Sequence, residues 1–192
     1  MNIRKFYEGK NVLLTGVTGF LGKVILEKLM RNCPGINKFY IMVRPKRNKK
    51  PFDRIKNEIL NSYVFSVVKK QHEDFYSWAQ SKIVPIVGDL VVDNLGMSDI
   101  HREMVVNDCH IIINSAASVN FDDHLHDALA INYFGSLRML ELAKECKNLV
   151  IHTHISTCYV NSTRTGYIKE EIYDLETMDV DAKVKNIMGM NH

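Results

Sequence analysis

Val12-Leu13-Leu14-Thr15-Gly16-Val17-Thr18-Gly19-Phe20-Leu21-Gly22 decides how this chain is read. It runs from a short apolar strand through a tight glycine turn into a helix whose apolar stripe is Leu21, Val24, Ile25 and Leu29. Such a turn gathers backbone N–H groups and the positive end of a helix at one spot, which favours a pyrophosphate. The spacing G-x-x-G-x-x-G is common by itself, and the strand before it and the helix after it give it meaning. In that reading Gly16 permits the turn, Gly19 lets the backbone approach the pyrophosphate, and Gly22 lets helix and strand pack closely.

Outward from this motif, strands and helices alternate. Strands are expected over 11–15, 38–43, 82–87, 109–114 and 149–155. Helices are expected over 20–32, 51–69, 98–106 and 127–144. Phe52, Ile55, Ile59 and Leu60 mark one face of the second helix, and Ala128, Ile131, Leu137, Leu140 and Leu142 mark the last. Ser98 is placed to cap the third. Continuous apolar strands separated by helices imply an α/β fold with a doubly wound parallel sheet, covered on both faces. The periodicity fades after Asp174, so residues 1–175 read as a Rossmann-like nucleotide-binding domain and 176–192 as an unpacked tail.

Composition narrows the function classes. The 192 residues contain 46% hydrophobic and 24% charged residues, with a net charge of +3, which is ordinary for a globular domain and does not call for nucleic acid. Cys33, Cys109, Cys146 and Cys158 are scattered, without a C-x-x-C pair, and so suggest neither a disulfide framework nor a zinc site. The first ten residues have no apolar core of a signal peptide, and no apolar run reaches membrane-spanning length.

The strand ends carry the candidate chemistry. After the second strand comes Val43-Arg44-Pro45-Lys46-Arg47, where an NAD enzyme would place a carboxylate against the ribose 2′-hydroxyl. Arg44 is instead suited to a 2′-phosphate, which favours NADPH. Arg47, Lys49 and Lys50 read as a solvated loop face. Asp89, after the third strand, suits either the adenine amino group or a turn. Asn114-Ser115-Ala116-Ala117, after the fourth, leaves room for a cofactor. Asn132 interrupts an apolar helix and needs a partner if buried, with the backbone of strand four or five one candidate and solvent the alternative. Ser156 or Thr157, after the fifth strand, is placed to donate to a substrate carbonyl oxygen. His152 and His154 share a face, but no third ligand suggests a metal site. Asp122-Asp123-His124-Leu125-His126 is read as helix capping and dipole compensation.

Together these residues resemble the extended branch of the short-chain dehydrogenase/reductase superfamily, and within it the alcohol-forming fatty acyl-CoA reductases. The likeness is carried by residues 6–16 and 18–24, Arg31-Asn32-Cys33-Pro34, Met42-Val43-Arg44, residues 116–122, Ile131-Asn132 and His154-Ile155-Ser156-Thr157-Cys158-Tyr159. It fades through Glu170-Glu171-Ile172-Tyr173, and no likeness is found for residues 178–192. The resemblance implies NADPH-dependent reduction of a long-chain acyl-CoA. One hydride gives a thiohemiacetal that sheds coenzyme A to leave an aldehyde, and a second gives the primary alcohol. It carries cofactor contacts to Thr15, Gly16, Thr18, Gly19, Phe20, Leu21, Gly22, Arg44, Asp89 and Ala116, and the catalytic hydroxyl to Thr157 or Ser156.

In such enzymes a Tyr donates the proton and a Lys four residues on lowers its pKa. No tyrosine in this chain has that lysine: Tyr159 is followed by Thr163 and Tyr167 by Glu171. The expectation is therefore a cofactor-binding half that is nearly inactive alone and lacks the acyl-binding region. The alternatives are a non-catalytic NADP-binding or interaction module, or another extended reductase or epimerase. Five strands with an uncovered far edge suggest dimerisation or poor solubility. The resemblance implies a peroxisomal or endoplasmic-reticulum membrane address, cytosolic side, for a whole enzyme, with this stretch itself soluble.

Overall fold

A computed structural model describes residues 2–46, 50–173 and 179–190. Its strands are β1 (Asn11–Leu14), β2 (Lys38–Val43), β3 (Ile83–Val87), β4 (Ile111–Asn114) and β5 (Ile151–His154). Its α-helices are α1 (Ile3–Tyr7), α2 (Phe20–Asn32), α3 (Pro51–Ile55), α4 (Ser66–Lys69), α5 (Phe75–Lys82), α6 (Asp99–Asp108), α7 (Leu125–Leu129), α8 (Gly135–Glu145) and α9 (Val180–Met188). All strand pairs are parallel, in the order β3-β2-β1-β4-β5. The chain thus runs outward from β1 on one side, returns, and runs outward on the other. The reversal lies between β1 and β4, and ligands of open α/β sheets bind at the C-terminal ends of strands beside such a reversal.

Alternation along each strand divides the core. Val12, Leu14, Ile41, Ile111 and Ile113 pack with Leu26 and Met30 of α2 on one face. Leu13, Tyr40, Met42 and Ile112 pack with Met139 and Leu142 of α8 on the other. Burial of Tyr40 pushes its hydroxyl pKa up to about 12, with Asp108 and Cys109 adding to the shift, so it stays neutral in the core.

Several expectations shift. The buried face of α2 is Gly22, Leu26, Leu29 and Met30, while Leu21 and Val24 lie exposed. The residue that must touch the glycine turn after β1 is Gly22, and turning it inward rotates Leu21 and Val24 outward. On α8 the inward residues are Gly135, Met139, Leu142 and Ala143, and Leu137 and Leu140 are exposed for the same reason. The expected helix over 51–69 is broken: α3 widens into a π-type turn (Lys56–Leu60), then a tight turn (Tyr63–Phe65) precedes α4. Ile55, Ile59 and Leu60 are buried as the spacing suggested. A second π-type turn (Ala130–Phe134) joins α7 to α8. Ser98 does cap α6, accepting from the His101 N–H at 3.3 Å. Helices α1 and α5 had not been expected.

The 176–192 stretch is not wholly irregular. Asp179 caps α9 by accepting from the Ala182 N–H at 2.9 Å, and α9 packs against α7, with Tyr133 Oη 3.5 Å from Asp181 Oδ1. Arg47, Lys49 and, of the expected tail, residues 176–178 and 191–192 lie outside the described residues.

Candidate functional site

The glycine turn forms where β1 ends. Gly16 has φ +69°, a conformation that disfavours any side chain, and a Cβ there would lie 2.5 Å from Ser115 O. A Cβ on Gly22 would lie 2.4 Å from Gly16 O, so helix and turn touch backbone to backbone. Gly19 starts α2 and offers no side chain to cap it. The N–H groups of Phe20, Leu21 and Gly22 therefore face an open first turn, as an anion-binding helix end requires. Thr18, Gly19, Phe20 and Leu21 are exposed around this opening. This cradle, which side chains would fill, fits a dinucleotide pyrophosphate.

Thr15 lies behind the cradle. It is 1% exposed, and its hydroxyl donates to Asn114 Oδ1 at 2.6 Å while accepting from the Ser115 and Ala116 N–H groups, both at 3.1 Å. Its carbonyl accepts from the Ser115 hydroxyl at 2.8 Å. The Thr15 side chain is thus spent inside the protein, and it pins the end of β4, with Ala116, against the glycine turn. Asn114 in turn holds β5: its Nδ2 lies 3.2 Å from His154 Nδ1. Sequence reasoning missed this chain of polar contacts. Its one signal was Asn114 at the end of an otherwise apolar strand.

At the end of β2 a cleft of about 380 Å³ is lined by Arg44, Pro45, Lys46, Arg54 and Asp89. Arg54 donates to Glu58 at 2.9 Å and to the Arg44 carbonyl, and Lys46 reaches Glu58 at 3.3 Å. Burial pulls the Glu58 pKa up, but the hydrogen bonds and charges of Arg54 and Lys46 outweigh it and hold the carboxyl below its ordinary range. Among the described residues no hydrogen bond or ion pair engages the Arg44 guanidinium. Asp89 takes the turn role, accepting from the Val91 N–H at 3.2 Å, and still lines the cleft. Its loop is tied to α8 by Arg138, which donates to Leu90 O at 3.1 Å and pairs with Asp93 at 3.2 Å.

Beyond β4, Asn132 grips Ser118 at both ends, accepting from its N–H at 2.8 Å and donating to its carbonyl at 3.0 Å. It therefore holds the segment after the strand, neither β4 nor β5 itself. Asp123 takes the Ser118 hydroxyl and Asn120 Nδ2 in that segment, and so does not cap α7. Beyond β5, Ser156 and Thr157 are exposed at the same sheet end. Thr157 accepts from the Tyr159 N–H at 3.2 Å, leaving its own proton free to donate. The Tyr159 ring meets Phe121 edge-on, with centroids 5.6 Å apart. His152 is half-buried, its Nε2 without a hydrogen-bond partner among the described residues, and burial, then His154, lowers its pKa. Among the described residues no group of three metal-ligating side chains is assembled.

Sheet order and cradle together define a dinucleotide-binding domain of the doubly wound type. The chain belongs to an NAD-binding family described as Male sterility protein, whose model matches residues 14–192, the expected tail included. It is 39% identical over 173 residues to Fatty acyl-CoA reductase 1 of Mus musculus, covering 90% of this chain and 32% of that protein. It is 35% identical over 176 residues to Fatty acyl-CoA reductase 2, chloroplastic, of Arabidopsis thaliana, covering 91% of this chain and 29% of that one. Among solved structures, the terminal R domain from the myxalamid PKS-NRPS biosynthetic pathway superposes with a TM-score of 0.63 at 27% identity, over 80% of this chain and 36% of that chain. The chain spans about a third of the length of the curated relatives it matches.

Proposed function

We propose that this chain is the dinucleotide-binding part of a fatty acyl-CoA reductase that takes a long-chain acyl-CoA through the aldehyde to the primary alcohol, with NADPH as reductant. The observation that carries this is the kinship with fatty acyl-CoA reductases over nine-tenths of the chain. The backbone around Gly16, Gly19 and Gly22 would hold the pyrophosphate, with Thr18, Phe20 and Leu21 at its rim. Ala116 would border the nicotinamide side and Asp89 the adenine side. Arg44 would grip the 2′-phosphate, because among the described residues its guanidinium is unengaged while Arg54 and Lys46 are tied to Glu58. NADPH, when bound, supplies the hydride.

Thr157, with Ser156 beside it, would donate a hydrogen bond to the carbonyl oxygen as charge develops there. The chain has no Tyr-x-x-x-Lys to act as proton donor. Alone it is expected to bind nucleotide and turn over acyl-CoA about 10²–10⁴-fold more slowly than a chain with that pair. For a whole enzyme we infer the cytosolic face of a peroxisomal or endoplasmic-reticulum membrane, on resemblance alone. Among the described residues no helix is long and apolar enough to cross a membrane.

The test is a chimera in which this chain replaces the matching segment of the Mus musculus relative. NADPH-dependent formation of alcohol from palmitoyl-CoA is expected. A folded chimera that binds NADPH yet reduces no acyl-CoA would contradict the substrate reading and favour another extended reductase.

A further inference from the structure

We propose that His154 is a positioning residue for the nucleotide cradle: its neutral Nδ1 orients the Asn114 amide and, through it, the Thr15 hydroxyl, so that protonating His154 weakens nucleotide binding. The binding half of this inference rests on the cofactor reading above.

The hydrogen-bond directions leave one solution. Thr15 Oγ1 accepts two backbone N–H groups, from Ser115 and Ala116, which fill its lone pairs. Its proton is left for the Asn114 side chain, which must present its oxygen at 2.6 Å. The Asn114 NH₂ then faces His154 Nδ1 at 3.2 Å. An NH₂ only donates, so Nδ1 must accept, and the ring is neutral with its proton on Nε2. A proton on Nδ1 would set two donors face to face. Turning the amide over would relieve that contact only by pointing its NH₂ at an oxygen with no lone pair left. Thr15 and Asn114 are both buried, so water is kept from their contact while His154, itself exposed, closes over the Asn114 amide. Because Ser115 O lies against Gly16, loosening Asn114 and Thr15 moves both walls of the cradle.

On its own strand His154 has His152 two residues back, on the same face. From β4 it meets the neutral Asn114. On α8, which packs against β5, Arg138 is engaged by Asp93, Glu141 by Lys144 and Glu145 by Arg102.

The experiment uses the 192-residue chain, His154→Gln and His154→Phe. Gln keeps a neutral acceptor at the position, and Phe removes it. Imidazole ¹⁵N spectra at about pH 8 should show Nδ1 bare and Nε2 protonated on His154; the opposite tautomer overturns the proposal, with or without nucleotide. NADP⁺ titrations at about pH 8 and pH 5.5 give the second arm. Both proteins lose affinity on acidification, because a phosphate monoester also takes up a proton near pH 6. Wild type should lose about 3- to 10-fold more than His154→Gln, and His154→Phe should bind weakly at both. Equal losses in wild type and His154→Gln overturn the proposal. Absence of wild-type binding at pH 8 contradicts the cofactor reading and the binding half with it, while the tautomer still decides whether His154 orients Asn114.

Discussion

Gly22 has no room for a side chain. A Cβ there would lie 2.4 Å from Gly16 O and 2.7 Å from Gly16 C, both backbone atoms that cannot swing aside. Gly22→Ala should therefore lower stability by about 1–3 kcal/mol, read as a shift in denaturant midpoint, and weaken nucleotide binding with it. Unchanged stability would mean that α2 and the turn are not in contact. The glycines were legible because each carries a steric requirement that sequence spacing exposes. Thr15 was legible as a site residue, but its place behind the cradle was not, since that depends on Asn114, 99 positions away. Asn132 announced itself as a polar residue in an apolar helix, yet its partner Ser118 was a matter of loop geometry.

At the scale of elements, periodicity found all five strands and the helices over 20–32 and 98–106, to within a residue or two. It failed on which way helices turn. An apolar count ranks Leu21 and Val24 above Gly22, whereas packing against the turn at Gly16 ranks the glycine first. It also ran through both π-type turns, because one extra residue per turn leaves the apolar spacing nearly intact. The first of these turns carries Glu58, the anchor for Arg54 and Lys46 beside the cleft. The Glu58 pKa in the folded protein lies below its unfolded value, so its contribution to stability is complete above about pH 4.5 and is lost as pH falls through the folded value. Glu58→Gln should flatten the fall in stability between pH 5 and pH 3, by less than about 1 kcal/mol because the pair is partly exposed. Thermal melts across that range check it, and identical slopes in both proteins would count against the anchor.

For the molecule as a whole, the alternation of strand and helix predicted a doubly wound parallel sheet, and the observed order β3-β2-β1-β4-β5 is that architecture. Strand order itself could not be read from local pattern, because it depends on pairings such as Val12 with Ile111. The far edge is β5, mostly exposed and paired on one side only, with Ile151 45% accessible. An edge of that kind recruits a second strand. Light scattering on the 192-residue chain should show a dimer or larger species, and a monomer at high concentration would show that this edge is protected. In the proposed function the cradle takes NADPH, with Arg44 as the residue that would select it. Titration of the purified chain with NADPH and with NADH, repeated on Arg44→Ala, tests that most directly. NADPH is expected to bind at least about tenfold tighter than NADH, a margin that one charge-assisted contact can supply and that Arg44→Ala should erase. Equal affinity for the two nucleotides, or a preference that survives Arg44→Ala, would contradict it.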